Sequence, residues 1–416
     1  MRGKKILSFS TIAISFTVLM LAFVAVTPPV FAGHCTTTVT APANIQTAVD
    51  GATSGDVVCL SGTFRQSVVF GLEDSGITLS EADSATAILD GSGTADSGTF
   101  LTVNWAILLK DGLSNVTIEN LEIRNYAGLG GGGQGNAIQA WDVSTSNIIV
   151  RNNYMHDNGW NGVLVGSEGD FIHNNWTVEK NSVTDNGFVG IELTNTINSK
   201  IVKNNAVDNG LHGILVQARN TIGSGVSPVV SDVVVSGNKV TGTVLSDGIR
   251  FLAFEGLTGS PFTSVGGMAK ITSDCEVTKN NVKGNAFGIR LQAFNVGATV
   301  EKCVVKNNNV IDNTNSGIRL LASASGTTDS NDVLNNRAID NGGDGIVVEG
   351  DTNDIEDNKA NNNGGDGINV SGDTNDIEDN KANGNTGDGI DCGGTGNTES
   401  GNKAKDNGGT NNTGCP

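Results

Sequence analysis

The chain has 416 residues, 57 of them Gly, with only 5% aromatics and a formal net charge of −19. So few aromatics over such a length do not fill a thick globular core, and the negative charge excludes nucleic-acid binding by phosphate neutralisation. One long repeat array accommodates the length without division into several globular domains.

Residues 1–32 read as an export signal. Arg2, Lys4 and Lys5 precede an apolar run from Ile6 to Val26, and Val30-Phe31-Ala32 offers a small-residue cleavage site just after Pro28 and Pro29. The run is also long enough to span a bilayer, so a membrane partner enters only if this segment stays uncleaved. The expected location is secreted, extracellular or at the cell surface.

Residues 33–112 read as an N-terminal cap and first coils. Asn44 to Ala52 spells a short amphipathic helix with Asn44 as N-cap and Ile45, Ala48 and Val49 on one face. A solenoid's open end exposes core and strand edges, and this helix is the natural lid. Ile77–Leu79, Ile88–Leu89 and Ala106–Leu109 read as strands of the first coils.

Residues 113–407 read as repeats. Asn353 to Ile368 recurs as Asn375 to Ile390, 22 positions later. The phrase [Val/Ile]-x-x-Asn-x-[Val/Ala/Met] can be followed back through Asn336, Asn308, Asn280, Asn238, Asn204, Asn181 and Asn153. A second phrase, Gly-Ile, follows each Asn after a small turn, as at Gly248-Ile249 and Gly288-Ile289. Such periods mean a stacked architecture, and Gly, Asn and short period-two apolar runs argue for strands over helices. A parallel β-solenoid puts each residue about 4.8 Å from its equivalent one coil away. Inward Asn side chains can then bond to the next coil. Residues 408–416 read as a C-terminal cap.

The six Cys all follow the leader, which suits an oxidising compartment. Cys275 and Cys303 precede Asn280 and Asn308 by the same number of residues and should stack one coil apart. Cys392 and Cys415 come out one coil apart, and Cys35 and Cys59 remain to close the N-terminal end.

The segments IQTAVDGATSGDVVCLSGTF, ITL, ILDGSG, SNVTIENLEIRN and the NN-x-x-x-DNG-x-x-GI repeats resemble the right-handed parallel β-helix proteins of the pectin-lyase-like superfamily. The resemblance implies an all-β, single-stranded right-handed parallel β-helix with a short N-terminal capping helix. It leaves activity open, because that superfamily contains polysaccharide lyases, uronan epimerases, glycosidases and non-catalytic surface proteins.

The coils lengthen in the middle: Asn204 to Asn238 is 34 residues and Asn238 to Asn280 is 42. The extra residues fall in 219–231 and 255–273, where insertions would wall a groove. The residue after each Ile points outward, and this row includes Glu192, Arg250, Arg290 and Arg319, with Trp141, Gln217 and Gln292 nearby. Stacked Arg side chains repel unless anions lie between them. The row therefore suits the carboxylates or sulfates of an acidic polysaccharide or cell-surface glycan, with Trp141 as an apolar platform.

His212 and Asp247 should be neighbours beside Arg250, the best acid–base candidates in the chain. For β-elimination on a uronate, Arg250 and Arg290 would neutralise the carboxylate while His212, oriented by Asp247, acts as base. On the pattern of the lyases that the chain resembles, Arg250 would instead be the base and Glu192 and Asp247 calcium ligands. The paired-Asp and Gly-His-Gly motifs of polygalacturonases and the Asp-Pro-His-Glu motif of mannuronan epimerases are absent. An enzyme here would accordingly be a polysaccharide lyase or uronan epimerase rather than a hydrolase. Asp344, Asp366 and Asp388 stack in the C-terminal coils as a candidate calcium site, and no organic cofactor is expected. Two functions stay open: an exported protein that binds an acidic glycan, with or without cleaving it, or a non-catalytic, disulfide-stapled, cation-binding surface rod.

Overall fold

The computed structural model describes residues 35–83, 85–102, 104–128, 135–167, 171–220, 228–255, 257–258, 263–264, 269–272, 274–323, 325–412 and 414–415. The expected leader and His34 lie outside these residues, as does much of the two mid-chain insertions.

Each coil contributes three short parallel strands. The first two rows share one 26-stranded sheet, bent at a corner, and the third row forms a 12-stranded sheet. Pairing is in register throughout: Val277 lies against Val305, Val282 against Val310, and Ile289 against Ile318. These inward residues are fully buried and form one continuous core. Alternation of period two therefore becomes a core by stacking, without any single coil having a core of its own. Toward the C-terminus the second row thins to Ala338, Ala360 and Ala382, which suits the shorter coils there.

The corners explain the Asn and Gly content. A residue with positive φ precedes each ladder Asn, for instance Lys279 (57°) before Asn280 and Asn307 (58°) before Asn308. The ladder Asn then turns inward. Asn280 donates its backbone N–H and its Nδ2 to Oδ1 of Asn308, both at 3.0 Å, and its Nδ2 also reaches the Val235 carbonyl at 2.9 Å. The same triplet recurs from Asn153 to Asn380. Buried backbone carbonyls that the corner would strand are thereby satisfied.

A second ladder, not anticipated, runs five residues further on through Asn158, Asn186, Asn209, Asn285, Asn313, Asn341, Asn363, Asn385 and Asn407. A third joins Asn331, Asn353, Asn375 and Asn397. The Gly of each Gly-Ile phrase is a close-approach position. A Cβ on Gly248 would lie 2.5 Å from the Val282 side chain and 3.0 Å from the Gly288 carbonyl.

Helix Ile45–Asp50 forms as expected, with Asn44 Oδ1 accepting the Thr47 N–H at 3.3 Å, and it buries Ile45 and Val49 in the core. The strands expected near Ile77, Ile88 and Ala106 are Thr78–Glu81, Ala87–Asp90 and Trp105–Leu109. All six Cys are paired, Cys275–Cys303 and Cys392–Cys415 as the stacking implied and Cys35–Cys59 as the pair that remained, with Cα separations of 4.7, 5.0 and 5.6 Å. Disulfides of this density fit an oxidising compartment. Among the described residues no helix is long and apolar enough to cross a membrane.

Candidate functional site

The outer face of the 12-stranded sheet gathers the residues singled out from the sequence. Leu215, Arg250, Arg290 and Arg319 lie directly opposite one another on four successive strands, His212–Asn220, Asp247–Glu255, Phe287–Phe294 and Ile318–Ser323. Period-two alternation aims Ile249, Phe251 and Ala253 at the core, so Arg250 must face out.

Asp247 opens its strand and is fully buried. Its Oδ1 lies 2.8 Å from Nε of Arg290, and its Oδ2 lies 3.8 Å from the guanidinium of Arg250. The Arg290 N–H does not point at the oxygen, so the short contact is coulombic and both atoms lack a hydrogen bond. Ser246 Oγ donates to Asp247 Oδ2 at 3.0 Å. Arg290 also lies over the Phe287 ring, 4.2 Å from its centre. Arg250 donates to Gln292 Oε1 at 2.5 Å, and Gln292 donates to Ser323 Oγ at 3.1 Å. Arg319 pairs with Glu349 at 2.9 Å. The Nε atoms of Arg250, Arg290 and Arg319 are all buried without a hydrogen-bond partner.

His212 sits against this cluster, its Nδ1 3.4 Å from Asp247 Oδ2. The same nitrogen accepts the Asp247 backbone N–H at 3.3 Å, so the ring proton belongs on Nε2. The imidazole is thus oriented by the backbone of Asp247 rather than by its carboxylate. Burial, then the charges of Arg250 and Arg290, hold its pKa down to about 3, so it is neutral at pH 7. Burial pushes the Asp247 carboxyl up against the opposing pull of Arg290 and Arg250. Burial likewise lowers Arg250 and Arg290, with Asp247 opposing.

Glu192 belongs to a second network on the neighbouring coils. It accepts from Asn161 at 2.8 Å, Gln217 at 2.8 Å and Thr194 at 3.2 Å, and Gln217 also donates to Thr194 at 2.9 Å. Burial raises the Glu192 pKa, and these hydrogen bonds oppose it. Trp141 lies across Gly166, where a Cβ would come within 3.1 Å of its ring. Asn161, Thr194, Ser246, Ser323 and Glu349 were missed by the sequence reading. Thr194 was findable, because it stacks on Gln217 in register. Trp160 and Phe188 stack with ring centres 4.1 Å apart.

The acidic columns of the C-terminal coils have a structural occupation. Asp344 Oδ1 accepts the backbone N–H of Asp366, and Asp366 Oδ1 that of Asp388, each at 2.7 Å. Among the described residues no group of three acidic, His or Cys side chains is arranged to hold a metal ion.

A family model for the right-handed beta helix region matches residues 88–251. No curated protein sequence matches the chain. Among solved structures, the A-module of a mannuronan C-5 epimerase from Azotobacter vinelandii superposes with a TM-score of 0.53 at 16% identity, covering 86% of this chain and 93% of that one. The catalytic domain of a GH87 α-1,3-glucanase, in complex with tetrasaccharides, gives a TM-score of 0.59 at 12% identity, covering 88% of this chain and 68% of that one. Identities this low establish the shared fold alone. With its in-register coils, Asn ladders and these counterparts, the chain is a right-handed parallel β-helix protein.

Proposed function

We propose that this is an exported protein whose 12-stranded sheet binds an anionic polysaccharide along Arg250, Arg290 and Arg319. One observation carries the reading: three guanidiniums stack on successive strands of the outer face, and the buried carboxylate of Asp247 contacts two of them, Arg250 and Arg290. Like charges about 4.8 Å apart repel, and a row of carboxylates or sulfates would relieve the repulsion while supplying acceptors. Gln292 braces Arg250 from the next strand, and Trp141 offers an aromatic face at the upstream end of the row. The fold counterparts point the same way, since one is an epimerase of a uronate polymer and the other was solved with oligosaccharide.

Cleavage by β-elimination is a second reading, favoured by the neutral imidazole of His212 beside two guanidiniums. Arginines neutralising a uronate carboxylate would acidify the adjacent C–H, and neutral His212 would take that proton on Nδ1 only by releasing the Asp247 backbone N–H that this nitrogen accepts. Its low pKa makes it a weak base, so binding comes first. Calcium would enter only as a counter-ion to the column of Asp344, Asp366 and Asp388, and an unchanged thermal midpoint with Ca²⁺ or chelator would remove it. The test of the main reading is a binding screen against pectate, alginate and sulfated glycans, with ultraviolet absorbance monitored for unsaturated uronates. Binding that weakens strongly in Arg290→Ala supports the proposal. If none of these polymers binds, the proposal fails.

A further inference from the structure

The C-terminal coils separate their charges by strand row. In the first strand row, register stacks Asp332 on Asp354 on Asp376, with Glu356 on Glu378 beside them. In the second row, register stacks Arg337, Lys359, Lys381 and Lys403, with Lys405 alongside. The five cations are exposed, and the five carboxylates are half-buried or exposed. Among the described residues none of these ten side chains makes an ion pair within 4.0 Å, although Lys306 exerts an electrostatic pull on Asp332. Arg337 is tied only to the neutral Asn309, Asp376 to Thr398 and Glu378 to Ser400.

Stacking like charges on parallel strands is unfavourable, and here it happens twice on the same coils. Burial raises the Asp354 carboxyl, and Asp332, Glu356, Asp376 and Glu378 raise it further. Among the described residues no ion pair joins the two rows within the chain. They match each other across two chains, because both rows repeat at the same coil spacing.

We propose that the carboxylate strip of the first strand row docks on the cationic strip of the second row in another copy of this chain, the two solenoid axes running side by side. A free polyanion would satisfy only the cationic strip, and the chain's net charge of −19 opposes its approach. A second copy satisfies both strips. The contact is heterologous, so it propagates into rows or closes into a ring rather than stopping at a two-fold dimer. The strips span three or four coils, well short of the ~800 Å² per partner of a stable interface, so association is weak and dominated by charge. This inference is independent of the glycan-binding reading, since it uses the 26-stranded sheet and not the 12-stranded one.

Sedimentation velocity of the full chain, compared at ~20 mM and ~500 mM salt, tests it, because screening lengths differ several-fold between these conditions. The expected result is a weight-average sedimentation coefficient that rises with protein concentration at low salt and is flat at high salt. Lys359→Glu with Lys381→Glu, and separately Asp354→Lys with Asp376→Lys, should each abolish the rise. Mixing the two variants should restore it, because each then presents the strip the other lacks. A flat coefficient for the unmodified chain at low salt overturns the proposal, as does association that survives both charge reversals. A mixture that stays monomeric, with both variants melting like the parent, overturns it too. Capture of poly-glutamate by the cationic strip without self-association would also overturn it in favour of a polyanion site.

Discussion

Asn308 takes two hydrogens from Asn280 on one oxygen, the backbone N–H and an amide N–H, both at 3.0 Å, while its own amide reaches the Val277 carbonyl at 2.7 Å and Asn336 Oδ1 at 3.0 Å. This relationship, repeated coil after coil, makes a polar interior possible in so thin a protein. Asn308→Ala strands two donors of Asn280 and one buried carbonyl. At about 1–3 kcal/mol for each unsatisfied group, partly relieved by relaxation, the expected loss is about 2–5 kcal/mol. Asn308→Asp keeps the acceptor but turns a carboxylate toward two oxygens, so it should cost at least as much at neutral pH. Urea midpoints check this, with Asn309→Ala on the outer face as the control. Equal midpoints for Asn308→Ala and the control would contradict the ladder's role.

Asp247 holds two guanidiniums while itself fully buried. Asp247→Asn preserves shape and removes the charge. Removing one partner of a buried ion cluster typically costs about 3–5 kcal/mol. The account expects that loss without ligand and a larger thermal upshift on adding anionic glycan than the parent shows, because the ligand then supplies the missing charge. A variant as stable as the parent would show that the cluster is not held together by Asp247.

His173 is fully buried, with Nδ1 2.8 Å from Thr145 Oγ1, and burial holds its pKa down to about 4 against an ordinary value of 6.5. Between those two pH values the unfolded chain binds a proton that the folded chain refuses. Stability therefore falls as pH drops through that window, by about 1.4 kcal/mol per pH unit for this residue. His173→Gln should flatten the acid limb by that slope relative to the parent. Parallel stability curves for the two proteins between pH 6.5 and pH 4 would contradict the burial assigned to this ring.

Cys275 and Cys303 lie directly opposite on paired strands and close a loop of sequence separation 28. In the chain-entropy view a loop of this size contributes about 3–4 kcal/mol. The double substitution to Ala should lower the thermal midpoint without altering glycan binding at the neighbouring sheet. A midpoint unaffected by both the substitution and a reductant would contradict it.

How much of this was legible in the sequence follows from what stacking does. Because equivalent letters touch, the first Asn ladder, the Cys275–Cys303 and Cys392–Cys415 pairs and the Arg250–Arg290–Arg319 row could be read directly from spacing, and Cys35–Cys59 followed as the remaining pair. The second ladder was equally legible, five residues downstream of the first, but was overlooked because Thr243 interrupts it. Side-chain geometry was not legible. Spacing put His212 beside Asp247, yet only the hydrogen-bond pattern shows that His212 accepts from the Asp247 backbone. Nor could spacing show that Glu192 is buried behind Asn161, Thr194 and Gln217, because burial on the outer face depends on which neighbours lean over it. In the Asp columns, likewise, spacing reveals proximity but not the backbone N–H that Oδ1 of Asp344 and of Asp366 accepts.

The most direct test of the central claim is a titration of a polyuronate into the parent protein and Arg290→Ala at moderate salt. The account predicts saturable binding by the parent, weakening as salt rises, and at least a tenfold loss in the variant, about 1.4 kcal/mol. Binding of equal strength in both proteins, or none in either, would contradict a guanidinium row built to receive anions.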